Sequence, residues 1–85
     1  MDDYFTYELI SKVRPLDDGR LDLVFRNGVH GVFDVRPYFA DPYWKRLAEP
    51  AFFNQVSLEC GTLVWPDDID IAPEEVWHGV VRSGG

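Results

Sequence analysis

The sequence predicts an α+β fold: a small single domain whose antiparallel-rich β-sheet, about five short strands with two hairpins, is covered by two or three short helices. Three observations predict it. Alternating apolar residues flank Arg26-Asn27-Gly28 and again Cys60-Gly61, and each pattern is a hairpin signal. Proline stands where a short helix would begin, at Pro42, Pro50 and Pro73. Six Phe, four Tyr and three Trp in 85 residues give a short chain the apolar area it needs, since each ring can bury about 150–250 Å².

Taken in order, Tyr7 to Arg14 reads as a first strand, closed by Pro15 and the turn Asp17-Asp18-Gly19. The next hairpin has a register that can be argued. Opposite residues of two antiparallel strands share a face, so Leu21, Leu23, Phe25, Val29 and Phe33 must come together. A loop of Arg26, Asn27 and Gly28 does this: Phe25 faces Val29, Leu23 faces Gly31 and Leu21 faces Phe33, with Asp22, Val24, His30 and Val32 on the other side. An Asn-Gly turn without Arg26 would send Val29 and Phe33 to the wrong face. The expected loop is therefore a type I turn followed by Gly28 in the left-handed region, as a bulge.

After Phe33 the alternation stops, and Asp34 to Phe39 reads as an irregular or helical turn because Pro37 blocks sheet pairing. Asp41 to Ala48 has the pattern of an N-cap, a first-position proline and a brief helix. A second short helix is expected over Pro50 to Gln55. Val56 to Glu59 and Thr62 to Trp65 form the second hairpin, turned by Gly61 and ended by Pro66. Ala72 to His78 is the last short helix, with Glu74 and Glu75 in its first turn. Trp65 and Trp77 are assigned to the core.

A chain this short buries roughly 60 to 65% of its unfolded surface. One domain is expected over 1–85, with an ordered core over about 6–79 and a flexible tail at Arg82-Ser83-Gly84-Gly85. The lone Cys60 makes neither an internal disulfide nor, alone, a metal site, which suits a reducing cytoplasm. The start Met1-Asp2-Asp3 is acidic where a secretory signal would be basic, and no apolar run approaches the roughly 18 residues of a membrane span. A cytoplasmic protein without membrane contact is expected. Fifteen acidic residues against eight basic ones give a formal charge of -7, which repels phosphate backbones and argues against direct nucleic-acid binding.

Chemistry-bearing residues are sparse. His30 falls on the outward side of the first hairpin, and His78 ends the last helix, where a cation is favourable. Glu75-Val76-Trp77-His78 has the Glu-x-x-His spacing of di-iron bundles, yet that site needs two such motifs and two further glutamates. Asp68 and Asp70 lack the glycine and distal glutamate of a calcium loop. Ser57 or Cys60 could be set beside a histidine and an aspartate on paper, but no flanking motif places them together. No catalytic residue, metal site or cofactor is expected, and the chain reads as a non-enzyme.

Two segments suggest contact with another protein. Tyr38, Phe39, Tyr43 and Trp44 lie close together around Pro37 and Pro42, too many rings for so small a core. They either lid an open side of the sheet or, with Arg36 and Arg46, form a patch of hot-spot composition. Asp67, Asp68, Asp70, Glu74 and Glu75 form a run without Lys or Arg. It is either a solvated loop and helix start or a docking face for a basic partner. The candidate partner-binding residues are Tyr38, Tyr43, Trp44, Arg46, Asp67, Asp68 and Asp70, with the aromatics as anchors and the carboxylates as a steering surface.

The order and spacing of several blocks resemble the bacterial domain-of-unknown-function family 2442 over nearly everything from Ile10 to Val76. The carriers are Val13-Arg14-Pro15-Leu16, Leu23-Val24-Phe25-Arg26-Asn27-Gly28, Phe33-Asp34-Val35-Arg36-Pro37-Tyr38-Phe39 and Phe52-Phe53-Asn54-Gln55-Val56. Gly61-Thr62-Leu63-Val64-Trp65-Pro66 and Asp70-Ile71-Ala72-Pro73-Glu74 complete them. The resemblance implies a small α+β domain, alone or joined to a helix-turn-helix domain, often encoded beside small proteins suspected of toxin–antitoxin pairing. It implies no catalytic or ligand residues, and the chain's end at Gly85 leaves no room for a DNA-binding helix pair. The expected function is a non-catalytic protein-interaction or regulatory module. The alternative is an acidic antitoxin-like inhibitor of a basic toxin or nuclease partner.

Overall fold

The computed structural model describes residues 7–82. Two antiparallel sheets enclose one core. In the first, β1 (Ile10–Pro15), β2 (Arg20–Phe25), β3 (His30–Asp34) and β7 (Val81–Arg82) lie in the order β1-β2-β3-β7. In the second, β4 (Ser57–Glu59), β5 (Thr62–Trp65) and β6 (Ile69–Ile71) lie in the order β4-β5-β6. Between β3 and β4 the chain makes 3-10 turns at Arg36–Ala40 and Lys45–Ala48 and the short helix α1 (Pro50–Phe53); α2 (Pro73–Gly79) follows β6.

The β2–β3 hairpin has the expected register. Leu21 pairs with Phe33 and Leu23 with Gly31. The Phe25 N–H donates to the Val29 carbonyl at 2.8 Å, and the Gly28 N–H donates to the Phe25 carbonyl at 2.9 Å. Gly28 has φ +90°, and the Asn27 side-chain oxygen accepts from the Val29 N–H at 3.0 Å. Gly31 has a different task. A Cβ there would lie 2.7 Å from the Val81 carbonyl and from a Val80 methyl, so the missing side chain lets β7 close on β3.

Several boundaries differ from expectation. β1 begins at Ile10 rather than Tyr7 and includes Pro15. The Leu16 N–H returns to the Arg20 carbonyl at 2.8 Å, so at Pro15 the main chain faces away from β2 and the missing N–H removes no ladder bond. The sheet expected to be single, with about five strands, is two sheets with seven strands among the described residues. The additional strands are β6, hidden in the acidic run, and β7, which takes Arg82 out of the expected flexible tail; the guanidinium of Arg82 lies 4.1 Å above the Trp77 ring. Residue 6, where the ordered core was expected to start, and tail residues 83–85 fall outside the described residues.

The helix expected over Asp41 to Ala48 is instead a tight turn followed by the 3-10 turn Lys45–Ala48. The Asp41 carboxylate does accept from the Tyr43 N–H at 2.9 Å, as a cap would. Tyr43 and Trp44, however, both bond to Asp70 of β6. Adjacent residues of an α-helix point about 100° apart, so a regular helix would not aim both at one strand.

The inward residues Leu21, Leu23, Phe25 and Phe33 of the first sheet and Leu63, Trp65, Ile69 and Ile71 of the second join Phe52, Phe53 and Val76 in one buried cluster. Trp65 is buried, as expected, and its indole N–H donates to the Phe53 carbonyl at 3.0 Å. Trp77 is partly buried and meets the Phe25 ring edge-on at 4.9 Å. No helix among the described residues is long and apolar enough to cross a membrane.

Candidate functional site

The acidic run turns back on itself at Pro66-Asp67-Asp68, where Asp67 and Asp68 take φ of 66° and 63°. Aspartate is among the side chains that best tolerate this left-handed region. The reversal pairs Trp65 with Ile69 and Val64 with Asp70. Ile69 and Ile71 are thereby buried while Asp70 faces out, and β6 becomes an edge strand with unpaired main-chain groups.

Tyr43 and Trp44 cover that edge. The Trp44 indole N–H donates to the Asp70 carbonyl at 2.9 Å. The Tyr43 hydroxyl points at the Asp68 carbonyl oxygen at 2.8 Å, with the Asp70 carboxylate at 3.2 Å. The two rings meet edge to face at 4.9 Å, and Tyr38 stands edge-on to Trp44 at the same separation. Arg46 forms an ion pair with Asp67 and lies 4.1 Å above the Phe52 ring. Lost hydration and the neighbouring Asp70 and Asp68 charges raise the Tyr43 pKa; burial, then the charge of Glu75, raises that of Tyr38. Both phenols stay neutral donors at physiological pH.

The aromatic and acidic segments, expected as two separate patches, thus form one surface. Tyr43, Arg46, Asp67, Asp68 and Asp70 are exposed on it, Trp44 is half-buried beneath, and Tyr38 stacks behind Trp44 towards Phe33. Tyr43 keeps 47% of its surface in solvent although its hydroxyl is fixed.

Beside this surface an open groove of about 450 Å³ crosses the outer side of the second sheet, lined by Ser57, Glu59, Val64, Asp68 and Asp70 and without a lysine or arginine. Glu59 and Val64 were not anticipated as part of a site, and Ser57 was weighed only as a nucleophile. The alternation Ile69-Asp70-Ile71 would have found them, since a strand there puts Asp70 opposite Val64 and Val64 opposite Ser57.

The residues considered for chemistry are placed on different elements. His30 bonds to Asp22 on the first sheet, His78 lies in the last turn of α2, Ser57 is on β4, and Cys60 is exposed in the β4–β5 turn. No group of three or more His, Cys, Asp or Glu among the described residues could hold a metal ion. Exposed carboxylates beside a fixed phenol can steer a cationic surface and offer it an aromatic contact.

No curated protein and no solved structure matches the chain. A family model does match, over residues 10–82, which span the seven strands and two α-helices of the described residues. On that match, the chain belongs to the family described as protein of unknown function (DUF2442).

Proposed function

We propose that this domain is a non-catalytic protein-interaction module that binds a basic partner through the Tyr43 surface. The observation that carries the reading is Tyr43 itself, a half-exposed ring held rigid by its hydroxyl and by Trp44 beside three exposed aspartates. A ring already fixed in place loses little freedom when a partner covers it, which is the property of a good anchor. The carboxylates favour a cationic partner, and Arg46 neutralises only Asp67 among them. An acidic inhibitor of a basic toxin or nuclease is the more specific form of this reading, supported by the charge of -7.

The test is a photo-crosslinker placed at Tyr43, with Val24 on the opposite sheet as control, in extract from the native cell. The captured protein is then purified and its binding kinetics measured. Tyr43→Ala should raise the dissociation rate, while a variant with Asp67, Asp68 and Asp70 changed to Asn should slow association and flatten its salt dependence. Capture equal at Val24, or kinetics unchanged in both variants, overturns the reading.

A further inference from the structure

We propose that Asn27 is a site of spontaneous deamidation, and that the turn in which it sits holds the reaction back in the folded chain. Asn27 is followed by Gly28 at the exposed tip of the β2–β3 hairpin. A side chain on the residue after an asparagine crowds the attack of its own backbone nitrogen on the asparagine amide; glycine has none. A Cβ on Gly28 would meet nothing within 4 Å, so water and hydroxide reach the tip freely. The other asparagine of the chain, Asn54, is followed by Gln55.

The reaction needs no partner but water. Hydroxide takes the Gly28 amide proton, the nitrogen bonds to the side-chain carbonyl carbon of Asn27, and the side-chain nitrogen leaves as ammonia with a proton from water. Water then opens the resulting succinimide at one of its carbonyls. The product is aspartate or, where the main chain is rerouted through the side chain, isoaspartate. One water is consumed for each ammonia released, and nothing is oxidised or reduced.

The fold occupies both reacting groups. The Gly28 N–H donates to the Phe25 carbonyl at 2.9 Å, and the Asn27 side-chain oxygen accepts from the Val29 N–H at 3.0 Å. A hydrogen-bonded N–H gives up its proton less readily, and the side-chain carbonyl is tethered one residue beyond the nitrogen that must attack it. The flanks are fixed as well: the Arg26 N–H is held by the Leu9 carbonyl and the Phe25 N–H by the Val29 carbonyl, both at 2.8 Å. Conversion therefore proceeds through local opening of the turn. Two hydrogen bonds, each worth a few-fold in an equilibrium, set a slowing of about tenfold or more. Isoaspartate adds a main-chain carbon to a loop whose length fixes the register of β2 against β3, so the converted hairpin is weaker.

The test is to incubate the full chain in mildly alkaline buffer, native and in guanidinium, and to follow intact mass and peptide maps with isoaspartyl methyltransferase labelling. The mass gain of an amide-to-acid change should localise to Asn27, with isoaspartate formed there, and should proceed about tenfold or more faster in guanidinium. Gly28→Val should suppress it in guanidinium, where folding plays no part. The converted chain, separable by its added negative charge, should melt below the parent. Conversion at Asn54 as fast as at Asn27 overturns the proposal. So does isoaspartate arising without mass gain at Asp18, which also precedes a glycine, in place of Asn27. Equal rates in native buffer and guanidinium overturn the protective role of the turn.

Discussion

Single side chains do more than one task in so short a chain. Trp44 packs its ring perpendicular to those of Tyr38 and Tyr43 and gives its N–H to the edge of β6, so one residue both packs and closes a strand that a partner could otherwise extend. Gly28 is the opposite case, a residue needed only for its backbone. A Cβ there would meet nothing within 4 Å, so substitution costs conformation alone. At φ +90° that cost is about 1 kcal/mol or more for a side-chain-bearing residue. Gly28→Val should therefore lower stability by about 1–2 kcal/mol in urea unfolding, and Gly28→Asn by less, because asparagine tolerates positive φ. Equal losses for Val and Asn would mean that space rather than φ decides this position.

At the scale of elements, ion pairs organise the first sheet. Asp22 is held below the usual carboxylate range, first by its hydrogen bond to His30 and then by Arg14; Asp34 and Asp18 are lowered by hydrogen bonds from Arg36 and Arg20. A carboxyl with a depressed folded-state pKa contributes stability that is fully present above its unfolded value and is lost as pH falls through the folded one. The melting temperature should accordingly drop as pH goes below about 4, and Asp22→Asn should make that acid limb shallower. An acid limb of unchanged slope in Asp22→Asn would assign the loss to other carboxylates. The β2–β3 hairpin was legible in sequence because five apolar positions admit one register and a glycine sits at its bulge. β6 was not, because Ile69-Asp70-Ile71 is only three residues long and is turned by Asp67 and Asp68 rather than by glycine. The candidate surface was half legible. Its residues were foreseen, but Tyr43 and Asp70 lie 27 positions apart, and no local pattern brings them together.

Over the whole molecule, charge is sorted by side: carboxylates paired with arginines along the first sheet, and on another flank the acidic loop, where Arg46 pairs with Asp67, beside a groove whose lining has no lysine or arginine. Such sorting leaves the acidic flank repelling itself, a cost that a cationic partner would remove and that salt can imitate. At neutral pH, raising salt from a few millimolar to physiological strength should lift the melting temperature by about 2–5 °C, because screened repulsion outweighs weakened surface ion pairs of about 0–1 kcal/mol each. Asp68 is the residue through which to test the origin of this gain. It makes no side-chain ion pair among the described residues, and its φ of 63° suits asparagine equally well. Asp68→Asn should thus raise the low-salt melting temperature and reduce its rise with salt, leaving the Tyr43 bond to the residue 68 carbonyl in place. A melting temperature that falls with salt in the parent chain would show that the ion pairs of the first sheet, and not the crowded carboxylates of the second, dominate the electrostatics of the fold.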